Sequence, residues 1–176
     1  MNIFFLDRNP KLAATYHNDK HVVKMVVETA QLLSTAHRVL DGEMYIDETS
    51  GRKIKRWRIH DYREDILYKA THINHPSASW VRESSSNYEY TYNLFCALCD
   101  EYTYRYGKIH ESHKRLRNVL STVPTNIRIS EMTNPPQAMP DYCKDNDTVM
   151  AYRKYYRNEK FEMSVYTKRD IPKWML

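Results

Sequence analysis

Residues 17–40, HNDKHVVKMVVETAQLLSTAHRVL, hold neither glycine nor proline and place apolar side chains at helical spacing. Val22, Val26, Leu33, Ala36 and Leu40 recur at steps of three and four, or multiples of them, which predicts a helix with one buried stripe. A second stripe runs beside it through His17, His21, Lys24, Glu28, Gln31 and Thr35. Polar groups in line on a helix usually face water. Glu28 departs from that pattern because Val26, Val27, Thr29 and Ala30 flank it with no basic residue directly adjacent. Such surroundings predict a partly desolvated carboxylate. Asn18 or Asp19 supplies the N-cap, and Asp41-Gly42 marks the stop.

The rest of the chain supports a helical fold. Only three of 176 residues are glycine, against fifteen tyrosines, which disfavours a turn-rich β architecture. The expectation is all-α: a single compact helical domain spanning 1–176, built on this central N-terminal helix and a long second one, with long irregular loops. Residues 1–6 (MNIFFL) tuck against the core, and a short helix follows Pro10. Residues 43–60 form a polar loop insertion with a basic end, and 61–70 a short helix. Pro76 disfavours helical backbone at His75. The second long helix covers 77–106, with Gly107 at its C′ position. A third helix covers about 110–120. Residues 122–143 are a proline-rich loop, and 147–161 the last helix.

The net charge of +5, with fifteen tyrosines and three tryptophans, points to a polyanionic partner. Cations that meet phosphates and rings that stack on bases make a nucleic-acid toolkit. Three cysteines, an odd number without a disulfide framework, indicate an intracellular, reducing compartment and so a cytoplasmic protein. No segment is long and apolar enough for a membrane span, and no protein partner is indicated. Cys96-x-x-Cys99 lies in a helical run without a second pair, so it does not read as a zinc site.

Two constellations could carry chemistry. His17 and His21 stand one turn apart, and His72 and His75 could complete a metal set. The residue after His17 is Asn18, whereas the familiar helical zinc pair has Glu there. The other constellation is an amine with a carboxylate. Asn2 is bulky, so the initiator Met is expected to stay and the α-amine to belong to Met1. Protein α-amines ionise near neutrality and attack electrophilic carbon without a side-chain base, while Glu28 could steady a cationic intermediate or move protons.

The triplet Asp19-Lys20-His21, followed seven residues after His21 by Glu28, resembles the pyrimidine-dimer DNA glycosylases of the phage endonuclease V type. That family has Asp-Gln-His with its catalytic Glu at the same distance. Met1-Asn2-Ile3 is similar to the family's mature N-terminus, Asn74-His75-Pro76 to an Asn-His-Pro of cellular members, and Tyr152-Arg153-Lys154-Tyr155-Tyr156 to its aromatic-basic patch. These motifs keep the family's order and cover about a third of the chain. The resemblance implies glycosylase and AP-lyase chemistry on damaged or modified duplex DNA, without a cofactor. Met1 would be the nucleophile, Glu28 the proton-handling carboxylate, and His21 a group orienting Glu28 or the sugar. Lys20, Lys24, Arg56, Trp57, Arg58, His75, Tyr152, Lys154, Tyr155 and Tyr156 would contact the nucleic acid.

The family's phosphate-holding arginines are missing: Asn2, Val27 and Gln31 occupy their positions. Their loss bears on lesion recognition more than on fold. Two other readings fit the residues, a helical nucleic-acid-binding protein without catalysis and a histidine-metal enzyme acting on a modified base or nucleotide.

Overall fold

Asn9 and Asn18 open the first two helices through side-chain oxygens that accept backbone N–H groups, as short polar caps do. In the computed structural model, which describes residues 1–176, α1 spans Pro10–Tyr16 and α2 spans Asp19–Asp41. Asn18 Oδ1 accepts from the His21 N–H at 2.9 Å, so Asn18 is the cap of α2 and Asp19 is left for another task. The chain is mostly helical, and no helix is long and apolar enough to cross a membrane.

The expected 43–60 loop is a hairpin. Strands β1 (Glu43–Asp47) and β2 (Ile54–Arg58) pair antiparallel, with Glu43 opposite Arg58 and Asp47 opposite Ile54. Tyr45, Ile46, Ile54 and Trp57 suit a pleated ribbon, and Gly51 at φ +75° supplies the turn. Gly42 joins α2 to β1 for a steric reason: a Cβ there would lie 2.4 Å from the Arg38 carbonyl oxygen and 2.9 Å from that of Arg58.

Residues 61–70 form turns instead of the expected helix. Arg38, nearly buried, donates to the carbonyls of Trp57, Glu64, Leu67 and Tyr68 and to the Glu64 carboxylate. One guanidinium thereby claims carbonyls that a helix would have used internally, and tertiary structure overrides local propensity.

The expected 77–106 helix is two. α3 spans Pro76–Glu83 and α4 spans Ser85–Tyr106, with Ser84 extended between them. The Ser84 hydroxyl accepts from the Asn87 N–H at 3.1 Å, a cap that three successive serines made available. Buried Asn87 holds the break by donating to Trp80 O and Thr133 Oγ1 while accepting from the Thr133 N–H. That ties the proline-rich segment to the core. α5 (Glu111–Leu116) and α6 (Thr148–Lys160) complete the set. α2 packs on α4 and α3, and a continuous apolar cluster includes Ile3, Phe4, Phe5 and Leu6 from the N-terminus.

A candidate active site at the N-terminus

The apolar run 3–6 is buried, so the chain end is drawn into the fold and Asn2 becomes its lock. Asn2 Nδ2 donates to Ala138 O at 2.9 Å, and Oδ1 accepts from the Ile3 N–H and from the Tyr152 hydroxyl, each at 2.8 Å. Tyr152 also reaches Pro136 O at 2.7 Å. With the side chain thus committed, the Asn2 backbone N–H donates to Glu28 Oε2 at 3.1 Å. The Met1 α-amine, one residue upstream, is therefore held in the neighbourhood of that carboxylate.

Glu28 is 14% exposed, and its other oxygen lies 3.3 Å from Lys24 Nζ. The basic partner missing from its sequence neighbours stands one helical turn back on the same face. The α-amine makes no direct ion pair with Glu28; Lys24 takes that place. His75 closes the site from the loop before α3. Its Nδ1 accepts from the Ser77 N–H at 3.1 Å, which leaves the ring proton on Nε2. Burial, then the Met1 ammonium and His72, hold His75 below the usual histidine range, and Glu28 opposes them. His75 thus stands within the electrostatic reach of both Met1 and Glu28. Two residues beside the site, Phe4 (φ +51°) and His72 (φ +49°), have left-handed backbone. Such strain in non-glycine residues gathers at sites the surrounding fold over-determines.

His21 does not orient Glu28. Its Nδ1 meets the Tyr156 hydroxyl at 2.5 Å, and its ring packs on Phe4 with centroids 4.4 Å apart. Burial, with His17, Lys160 and Lys24 nearby, lowers its pKa to about 3. A neutral His21 positions Phe4 and hence the N-terminal segment. Tyr152 and Tyr156 are likewise corrected from nucleic-acid contacts to buried supports, because neither offers a ring face to a base. Tyr155 is half-buried, parallel to Phe4 at 6.0 Å, with Lys160 over its ring, and Lys154 is exposed beside it. Lys20 is exposed on α2.

The metal set is also corrected. His17 is fully buried, its Nδ1 donates to Ala13 O at 2.7 Å, and burial lowers its pKa to about 4. It does not converge with His21, His72 and His75, and no group of three or more His, Cys, Asp or Glu side chains is placed to hold a metal ion. Arg56, Trp57 and Arg58 lie on the hairpin, reached through Arg38 at the far end of α2. Ten residues of helix separate Arg38 from Glu28, or ~15 Å.

The largest cleft, about 1160 Å³, is elsewhere, between α1 and α4, and includes none of these residues. Its two carboxylates are engaged: Asp100 pairs with Arg117 at 2.5 Å and Glu101 with Arg169 at 2.9 Å. Sequence reasoning missed Asn2 as a lock, Phe4 as its support and Ala138 as its anchor, since no local pattern marks any of them. No family model, no curated protein and no solved structure matches the chain.

Proposed function

We propose that the chain is a DNA base-excision enzyme, a glycosylase with AP-lyase chemistry, acting through the Met1 α-amine and Glu28. The observation that carries this reading is the Asn2 N–H bond to Glu28 Oε2, which brings an α-amine and a mostly buried carboxylate into one site. The ordered motif resemblance supports it, and so do the lysines Lys20, Lys24 and Lys154 on the exposed surface. We read residues 1–176 as one helical domain organised on α2 and α4. Its three free thiols suit a reducing, intracellular setting.

The chemistry balances without a cofactor. A nucleotide leaves the stack at a cost of about a few kcal/mol. The neutral amine attacks C1′ of its deoxyribose, the C1′–N bond to the base breaks, and the base departs with the bonding electrons and gains a proton. The amine loses a proton as the sugar ring opens to an iminium. Glu28 steadies that cation and takes the C2′ proton, and the C3′–O bond breaks to release the phosphate. Water then hydrolyses the imine and frees Met1. His75 Nε2–H is available to donate to a sugar or phosphate oxygen, and Lys24 to bind phosphate once substrate displaces it from Glu28.

Asn2 stands where the resembling family has an arginine. With Asn2 used as a lock, phosphate contacts in this reading come from lysines, and the substrate is a damaged or modified duplex. Borohydride reduction with abasic duplex DNA tests the reading. A covalent complex whose adduct maps to the Met1 peptide is expected. Absence of any trapped species while DNA binding persists would leave a nucleic-acid-binding protein without catalysis.

A further inference from the structure

At the far end of α2, a recess of about 430 Å³ opens between the hairpin and the segment 67–70. Three rings line it, Tyr45, Trp57 and Tyr68, with four cations, Arg38, Arg56, Lys69 and Arg115. The volume is that of a small-ligand site. Arg115 is fixed rather than floppy: its Nε donates to Ile66 O at 2.6 Å and its Nη2 to Asp65 O at 3.2 Å, and its guanidinium lies 5.3 Å over the Tyr68 ring. Arg56 Nε is buried and has no hydrogen-bond partner; the nearest carboxylate, Asp47, stands at 3.6 Å.

Apart from Arg38 and Arg56, which pair with Glu64 and Asp47, the cations of the recess, Lys69 and Arg115, have no ion-pair partner. Glu64 is consumed by Arg38 and the Ile59 N–H. Asp65 remains on the rim, while Lys69 has no ion-pair partner. Oriented guanidinium donors beside aromatic faces recognise a phosphate joined to a planar base. The segment 68–75 links the recess to the N-terminal site along the chain. The segment that lines it at Tyr68 and Lys69 runs back along α2, bonds Thr35 through Thr71, and ends at His75 beside Met1.

We propose that this recess is a nucleotide pocket that takes one nucleotide of a DNA strand, its base against the tyrosines and its phosphate on Lys69 and Arg115. The engaged nucleotide would lie several steps along the strand from the one at Met1, given the ~15 Å of helix between the two ends. The inference rests on the reading of the chain as DNA-acting, but not on its chemistry.

The test titrates the full-length chain with a short single-stranded oligonucleotide, following Trp57 fluorescence and, in parallel, anisotropy of a labelled strand. Lys69→Glu and Arg115→Ala are each expected to weaken binding about tenfold, the loss of one charge-assisted contact. Arg115→Ala also removes two bonds to the 65–66 carbonyls. Lys69→Glu, on an exposed residue, keeps the test valid should that variant unfold. Unchanged affinity in Lys69→Glu overturns the pocket. Competition by a free deoxynucleoside monophosphate as strong as that by the strand overturns it in favour of a free-nucleotide site, and competition by inorganic phosphate alone removes the base from the argument. Borohydride trapping of the parent chain on abasic DNA is run beside the titration. Trapping that fails in the parent, with the tenfold loss in Lys69→Glu standing, would refute the Met1 chemistry and leave the pocket intact.

Discussion

The Asn2 backbone N–H and the Glu28 carboxylate, twenty-six positions apart, meet at 3.1 Å. Glu28 splits its two oxygens between that N–H and Lys24, so its orientation is fixed from both sides. The contact ties the chain end to the middle of α2, where the proposed chemistry takes place.

Glu28→Gln separates structure from chemistry. The amide oxygen can still accept from Asn2, and the exposed Lys24 pair contributes under about 1 kcal/mol. Urea unfolding should hardly change, while strand scission of abasic DNA falls by about 10²–10⁴-fold. Equal activity in the variant and the parent would remove Glu28 from the mechanism.

Tyr152→Phe should loosen the lock on the N-terminus. It deletes the hydroxyl that bridges Asn2 Oδ1 and Pro136 O in a buried setting. The expected cost is about 1–3 kcal/mol, read from denaturant midpoints. Covalent trapping should slow more than DNA binding weakens, because the amine loses its address and the surface lysines do not.

Acid should destabilise the fold well before its carboxylates protonate. Burial lowers His17 and His37 to about 4 and His21 to about 3. Unfolded histidines titrate near ~6.5, so between there and ~4 the unfolded chain binds more protons than the folded one. Stability is therefore full above ~6.5 and declines as pH drops towards ~4. Three such groups together account for several kcal/mol, a large share of a typical ~5–15 kcal/mol. Urea midpoints measured at pH 8 and pH 5 check this; equal midpoints would contradict neutral, buried histidines.

Arg105→Met should be among the costliest substitutions in the chain. The fully buried Arg105 side chain donates to Glu101 at 2.7 Å, Asp19 at 2.8 Å and Thr15 O at 3.1 Å. Asp19 also accepts from the N–H and hydroxyl of Thr167, which ties the C-terminal segment to the start of α2. Removing one member of a buried ion network costs about 3–5 kcal/mol. For a domain this size that lowers the melting temperature by roughly 6–20 °C, measurable by calorimetry.

Gly42→Ala should disturb the hairpin selectively. Its Cβ would press on two backbone carbonyls that cannot swing away. A loss of about 1–3 kcal/mol is expected, with faster amide exchange in Ile54–Arg58 than in α2.

The sequence by itself determined the local structure of this protein. Apolar spacing over residues 17–40 yields α2, the short polar residues Asn9 and Asn18 cap their helices, Pro76 starts α3, and Gly107 ends α4 in left-handed backbone. Each follows from interactions within a few residues, so each is readable along the chain. The seven-residue interval from His21 to Glu28 is likewise local, and places both on α2. Tertiary structure decided the partners. Periodicity tells which face is buried but not what it meets, so Arg38 could not be foreseen unwinding 61–70 by claiming its carbonyls. His21 and Glu28 look equivalent on one stripe; packing gave one to Tyr156 and the other to Asn2. Tyr152 and Tyr156 read as surface rings until the N-terminus was placed against them. The candidate site exists because a chain end, a helix midpoint and a loop before α3 converge, and only folding brings such distant segments together.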